Sequence, residues 1–305
     1  MNKRVIMSLF LCMLLLAAPA MAQVKKQEIV YARLSPQGET KGIYIVNDFE
    51  ADAPEKVEDF GAYQGVENLT NLEDLAYGDE KVSFAMEKGR FRYQGNPKGL
   101  ELPWHITLAY QLDGKDVQPE NLSGAEGKLD MVLSVALNPA LKAHAANLAL
   151  QMTMTLDGDK CLNITSDKAT IAAAGGTYSL AFVVLPGAEA SFHISADVQN
   201  FSMADMQIAG VRMAMDADMY KQYAGDMLKG SPLEAAAGNI MDNMLGKPLP
   251  KPQSFADQRN GEVEAVQFVI LMEGIAPKPV QKETTGVTEQ EDQNVLTRLL
   301  SLFGG

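Results

Sequence analysis

Pro103-Trp104-His105-Ile106-Thr107-Leu108-Ala109-Tyr110-Gln111-Leu112 decides the fold class of this chain. Ile106, Leu108, Tyr110 and Leu112 point to one side of an extended backbone, and Thr107, Ala109 and Gln111 point to the other, the period of a half-buried strand. Asp113-Gly114, a tight-turn dipeptide, ends it. The same grammar continues downstream. Gly127–Asn138 and Leu148–Leu156 read as strands, the latter with Met152 and Met154 on one face. Thr177–Leu185 and Ser191–Val198 read as a pair broken by Pro186-Gly187, and Met206–Met215 alternates around Gly210, read as a bulge. Strands separated by short turn signals predict a β-sandwich rather than a parallel α/β sheet, and the expected architecture is immunoglobulin-like.

Upstream, residues 23–117 read as an N-terminal β-meander domain. Glu28–Leu34 and Gly42–Asn47 flank Ser35-Pro36-Gln37-Gly38, where Pro presets φ and Gly accepts a positive one. Lys56–Tyr63 reads as an edge strand, and Asn71–Leu75 as one helical turn capped by Asn71. Lys81–Glu87 and Arg90–Gln94 read as a second hairpin around Lys88-Gly89. The boundary falls near Gly114–Gly127, so the sandwich domain spans 118–276, with Ala140–Asn147 as a short helix. Within it, residues 216–246 change character to Ala, Met and Leu. Helices are expected at 217–228 and 232–245, with Ser231 as cap and Pro232 at the first position of the second. Pro248, Pro250 and Pro252 then enforce an extended connector. Glu262–Ile275 is apolar on both sides, as a strand buried on both faces would be, and is expected to complete a sheet begun more than 100 residues earlier.

The ends carry a different message. Lys3 and Arg4, an apolar run from Val5 to Leu16, and Ala20-Met21-Ala22 have the layout of a secretory signal peptide over 1–22. The run is about a dozen residues, and a membrane span needs roughly 20. Cleavage after Ala22 and an extracytoplasmic location, periplasmic, secreted or at the cell surface, are therefore expected. No later segment reads as an integral span: Val263–Ile275 comes nearest, and Glu264 and Glu273 interrupt it. Losing Lys3 and Arg4 takes the net charge from −13 to −15, which argues against nucleic acid and anionic lipid as partners. Cys161 is then the only cysteine, so no intramolecular disulfide is expected, and it reads as a buried apolar residue. At the other end, residues 277–294 are too polar to offset their ordering entropy and read as a flexible linker. Residues 295–305 read as an amphipathic helix whose Val295, Leu296, Leu299, Leu300 and Phe303 share one face. Those five residues are the candidate partner-binding surface. The helix can pack on a partner, lie on a membrane surface or dock on its own domain, and Arg298 is the only cation of its polar face.

Catalytic constellations are not found. The three histidines, His105, His144 and His193, form no paired spacing that would hold zinc. There is no Gly-x-Ser-x-Gly elbow and no phosphate loop. Asp157-Gly158-Asp159 and Asp216-Ala217-Asp218 lack the twelve-residue calcium loop and read as a turn and a helix start. Eight methionines lie between Met203 and Met244. They alternate with Ala, Ile, Val and Leu, as core residues do, and not as a copper site would. No cofactor, metal or catalytic residue is assigned. Asn68-Leu69-Thr70, Asn121-Leu122-Ser123, Asn163-Ile164-Thr165 and Asn200-Phe201-Ser202 match the glycosylation sequon.

Several phrases carry a resemblance. They are Ile43-Tyr44-Ile45-Val46-Asn47-Asp48-Phe49, Asp59-Phe60-Gly61-Ala62-Tyr63, Val66-Glu67-Asn68-Leu69-Thr70, Tyr93-Gln94-Gly95, Leu102-Pro103-Trp104 and Gln267-Phe268-Val269-Ile270. The chain up to about Ile275 resembles the extracellular β-rich region of bacterial exported and surface proteins. Longer members of that group carry Leu-x-x-Gly heptad repeats and are similar to phage-infection and type VII secretion accessory proteins. This chain has no heptad array, and the resemblance implies no catalytic residue. The expected function is a non-enzymatic envelope module that binds a protein or surface polymer. The alternatives are a hydrolase acting on envelope polymers and a carrier of an apolar ligand through the Met-rich region.

Overall fold

The computed structural model describes residues 24–212 and 251–278. In chain order the strands are β1 (Lys25–Leu34), β2 (Thr40–Ala51), β3 (Glu55–Phe60), β4 (Tyr63–Asn68), β5 (Ala76–Gly78), β6 (Lys81–Met86), β7 (Gly89–Pro97), β8 (Trp104–Leu112) and β9 (Lys115–Asp116). There follow β10 (Gly127–Leu137), β11 (Leu148–Asp157), β12 (Cys161–Ser166), β13 (Thr170–Ala174), β14 (Thr177–Val184), β15 (Ala190–Val198), β16 (Met206–Arg212) and β17 (Ala265–Met272). A four-residue helix, Lys142–Ala145, lies within the segment read as a short helix. The described chain is thus mostly β. The signal segment 1–22, the helical insertion 216–246, the greater part of the linker and the helix 295–305 lie outside the described residues.

A nine-stranded sheet in the order β13-β14-β11-β16-β17-β1-β2-β7-β4 is the backbone of the molecule. One face of it is shared by two smaller sheets. The five-stranded sheet, β12-β15-β10-β8-β9, packs over one part. There Trp104 meets Phe268 edge-on at 5.1 Å and Phe182 meets Phe192 at 5.1 Å. The three-stranded sheet, β3-β6-β5, covers another part through Phe84, whose ring stacks on Phe91 at 4.2 Å and meets Phe49 at 5.2 Å. A single apolar cluster runs through both interfaces.

β8 behaves as its sequence predicts, with Trp104, Ile106, Leu108 and Tyr110 buried and His105, Thr107, Ala109 and Gln111 exposed. Asp113 and Gly114 both have positive φ, 50° and 74°, as a tight two-residue hairpin turn requires. β17 does complete a sheet begun far upstream: it runs parallel to β1, Gln27 to Leu34 against Ala265 to Met272, and antiparallel to β16. Strand pairing therefore crosses the line drawn at 117/118 twice, once through β1–β17 and once through β8–β10.

Five readings need correction. β6 and β7 are not a hairpin: β6 pairs with β3 and β5, whereas β7 pairs with β2 and β4. Gly89, at φ 124°, turns the chain from one sheet into the other, so Phe84 and Phe91 face each other across the core instead of standing side by side. β14 and β15 likewise belong to opposite sheets, and the Pro186-Gly187 link is a corner between layers. Gly210 is no bulge, since β16 keeps register with both neighbours. A Cβ there would lie 3.0 Å from Cβ of Phe268 and 3.1 Å from Cη2 of Trp104, so the missing side chain makes room for the indole. Asn71–Leu75 forms no helical turn. The Asn71 side chain accepts from the Glu73 amide, and Asn68 Oδ1 accepts from the amides of Thr70 and Asn71, local bonds that compete with a helix. β17 is buried on one face only, and Val269 on the other is 43% exposed.

Candidate functional site

The predicted partner surface, Val295, Leu296, Leu299, Leu300 and Phe303, lies outside the described residues. What the strands do build is a trough of about 560 Å³ on the outer face of the five-stranded sheet. Register explains its lining. Thr165 pairs with Ser195, Ser195 with Asp130, Asp130 with Gln111 and Gln111 with Asp116, so one polar row crosses all five strands. Directly opposite residues on a sheet stand about 4.5–5.5 Å apart at Cβ, so the row is continuous. The neighbouring row holds His193, Val132 and Ala109. Asp167 joins at the edge, its carboxylate accepting from the His193 amide at 3.0 Å.

The inner partners of these residues hold the row in place. Leu129, Met131 and Leu133 alternate with Asp130 and Val132 and are buried, as are Phe192, Ile194 and Ala196 between the outward residues of β15. At the edge, β12 slips register between Leu162 and Thr165, with Asn163 at φ 51°. Asn163 Nδ2 donates to Asp197 at 2.7 Å, which pins the irregularity.

The polar groups of the row differ in how they are satisfied. Gln111 Nε2 donates to Asp116 at 2.8 Å. The Asp130 carboxylate is half-buried and makes no hydrogen bond or ion pair with another described residue, and neither do the hydroxyls of Ser195 and Thr165. Ser166 Oγ at the rim is buried without a hydrogen-bond partner. Three carboxylates, Asp116, Asp130 and Asp167, line the trough. Among the described residues no three His, Cys, Asp or Glu side chains converge closely enough to hold a metal ion.

A second polar cluster is buried between β1, β3 and the loop 252–262. Lys26 Nζ lies 2.8 Å from Glu28 and 2.7 Å from Asp59. Glu28 accepts from the Phe255 amide at 2.6 Å and from the Ser254 hydroxyl, and Asp59 accepts from the Tyr93 hydroxyl. Burial works against the Lys26 charge, but the two carboxylates outweigh it and leave its pKa raised. Burial pushes the Asp59 carboxyl up against the pull of Lys26 and Tyr93. The cluster ties the start of β1 to the loop that precedes β17, and we read it as structural.

Of the residues weighed singly, His105 and His193 are exposed on strands. Cys161 is fully buried, and burial followed by the Asp157 charge pushes its thiol up to about 11. Asp157-Gly158-Asp159 is a turn, with the Asp157 side chain accepting from the Asp159 amide. The trough itself was missed, because Gln111, Asp130 and Ser195 look like ordinary outward strand positions and the edge residues Asp116, Thr165, Ser166 and Asp167 lie in segments that were not read as strands. The signal present was the run of outward polar residues, Gln111, Asp130 and Ser195, on three separate predicted strands.

No protein-family model matches the chain, and no curated protein matches it. Solved structures with a likeness include the yeast delta-COP-I mu-homology domain. It was compared in complex with a Dsl1 WxWxV peptide (8% identity, TM-score 0.32) and alone (8%, TM-score 0.34), each alignment covering 82% of this chain and 95% of that one. A homology model of the full-length AP-3 complex in an intermediate open conformation is similar at 12% identity and TM-score 0.36, covering 68% of this chain and 62% of that one. At such TM-scores the likeness carries no argument.

Proposed function

We propose that this protein is an exported, non-enzymatic module of the cell envelope that binds a hydroxyl-rich surface polymer. One observation carries the reading: an open polar row that crosses five strands, with hydroxyls and a carboxylate that no other described residue satisfies. Unsatisfied polar groups on a rigid sheet are preorganised hydrogen-bonding partners for a ligand. A repeating hydroxylated chain suits a row better than a closed pocket would. The acidic lining and the charge of −13 on the whole chain disfavour polyanions. Export rests on the layout of residues 1–22, and the resemblance to β-rich surface proteins points to the same compartment. The pairing of β10 with β15 and of β11 with β14 around one core supports an immunoglobulin-like arrangement for the sandwich.

The test is affinity electrophoresis of the purified chain through gels containing soluble envelope polysaccharides. Retardation is expected, and it should be lost in Ser195→Tyr, which fills the trough. Unchanged mobility of the unaltered protein in every polysaccharide tested refutes the proposal.

A further inference from the structure

The chemistry of the trough narrows its ligand. Asp130 stands at the middle of the row, half-buried, with no cation of the described protein to neutralise it. Lys128 shares its strand face two residues away but stands opposite Asp197, and makes no ion pair with Asp130. On one side of Asp130 stand hydroxyls, Ser195 and then Thr165. On the other stands Gln111, whose amide nitrogen is already committed to Asp116. The row is therefore rich in acceptors, with Asp130 at its centre and Asp116 at its end, and neither carboxylate has an ion pair among the described residues.

A half-buried carboxylate of this kind favours a cationic ligand group, because low local dielectric strengthens the pairing. Calcium needs six to eight oxygens, several of them carboxylate, and among the described residues no three His, Cys, Asp or Glu side chains come together to hold any metal ion. An ammonium needs one carboxylate and a few neutral acceptors, which is what the row supplies. The flanking hydroxyls and amide match hydroxyl groups on either side of that ammonium.

We propose that the trough recognises an amino sugar polymer, with Asp130 receiving the free ammonium and Ser195, Thr165 and Gln111 bonding the sugar hydroxyls. The inference rests on the trough being the polymer-binding surface proposed above. A glucosamine hexamer, its fully N-acetylated counterpart and an oligolysine of equal charge serve as probes in titration calorimetry with the purified full chain. The glucosamine hexamer should bind at least about tenfold more tightly than either of the others, and Asp130→Asn should remove that preference. The variant replaces one partly exposed oxygen, and an unchanged melting temperature would show that it folds. Equal binding of the acetylated and free-amine hexamers, or no effect of Asp130→Asn, overturns the assignment. Retardation by other envelope polysaccharides would then leave the broader reading standing. Oligolysine binding as tightly as glucosamine also overturns it, because the site would then be a general ammonium site and not a sugar site. If neither hexamer binds and no polysaccharide retards the chain, both readings fall together.

Discussion

Gly38 shows how a single residue sets the approach of two sheets. Its φ is 104°, and a Cβ there would sit 1.8 Å from the carbonyl oxygen of Ile106. The β1–β2 turn thus lies directly on β8, an approach confirmed by the Leu108 amide donating to the Gln37 carbonyl at 3.2 Å and the Tyr110 hydroxyl donating to the Pro36 carbonyl at 2.9 Å. Gly38→Ala combines backbone strain with overpacking, about 1–3 kcal/mol each. It should lower the urea midpoint by the equivalent of about 3 kcal/mol without changing the slope. Lys26 gives a second residue-level prediction. Removing it strands Glu28 and Asp59 in the core, a loss of about 3–5 kcal/mol for a buried pair, so Lys26→Met should be strongly destabilised. The pH dependence follows from the raised pKa of Lys26. Its stabilising contribution is complete below the ordinary lysine value of about 10.4. It is lost as pH rises through the higher folded value, because there the native state holds the proton longer than the unfolded chain. Chemical denaturation between pH 9 and 12, on the order of the range spanned by these values, should therefore show an alkaline decline that is weakened in Lys26→Met.

Most strands were legible and their partners were not; β4, β5, β9, β12 and β13 fall in segments that were not read as strands. β1, β2, β8, β10, β11 and β17 all fall in segments read as strands, and in β8 and β11 a one-faced strand writes its burial into every second residue, whereas β17, read as two-faced, buries one face only. The Lys88-Gly89 and Pro186-Gly187 links carry the same residues as a hairpin turn, yet each carries the chain to another sheet. Turn chemistry reports that the backbone reverses; it does not report whether the returning strand lies beside or opposite. The Asp113-Gly114 turn differs in that its two residues take the left-handed conformations that force adjacent pairing. Among the elements, β13 stands out as an edge strand whose five residues are all exposed, Thr170-Ile171-Ala172-Ala173-Ala174, uncharged and free of proline. Such an edge invites pairing between molecules. Ile171→Lys should reduce concentration-dependent light scattering on warming, with a change in stability within about 0.5 kcal/mol, as for an ordinary surface substitution.

At the level of the molecule, the parallel joint between β1 and β17 makes the nine-stranded sheet continuous from the first described strand to the last. The first strand is flanked on both sides, by β2 and β17, so its amides cannot open without breaking the centre of the sheet. Hydrogen exchange should show β1 and β17 exchanging only through global unfolding. The loop 69–75, with Leu72 fully exposed, should exchange orders of magnitude faster. Exchange of β1 at loop-like rates would show that the two halves open independently.

The amino-acid order settled the local facts: that most of the longer segments extend, which face of β8 is apolar, and that Cys161 belongs in the interior. These are nearest-neighbour properties, read from period and residue type. Register, sheet membership and the polar row were settled by packing. Thr165, Ser195, Asp130, Gln111 and Asp116 are spread over some 85 positions and come into line because the buried residues between them can fill the core in one alignment. A slip of one residue on any strand would turn its apolar face to water. The site is thus a by-product of how the core closes, and no single strand carries its signature.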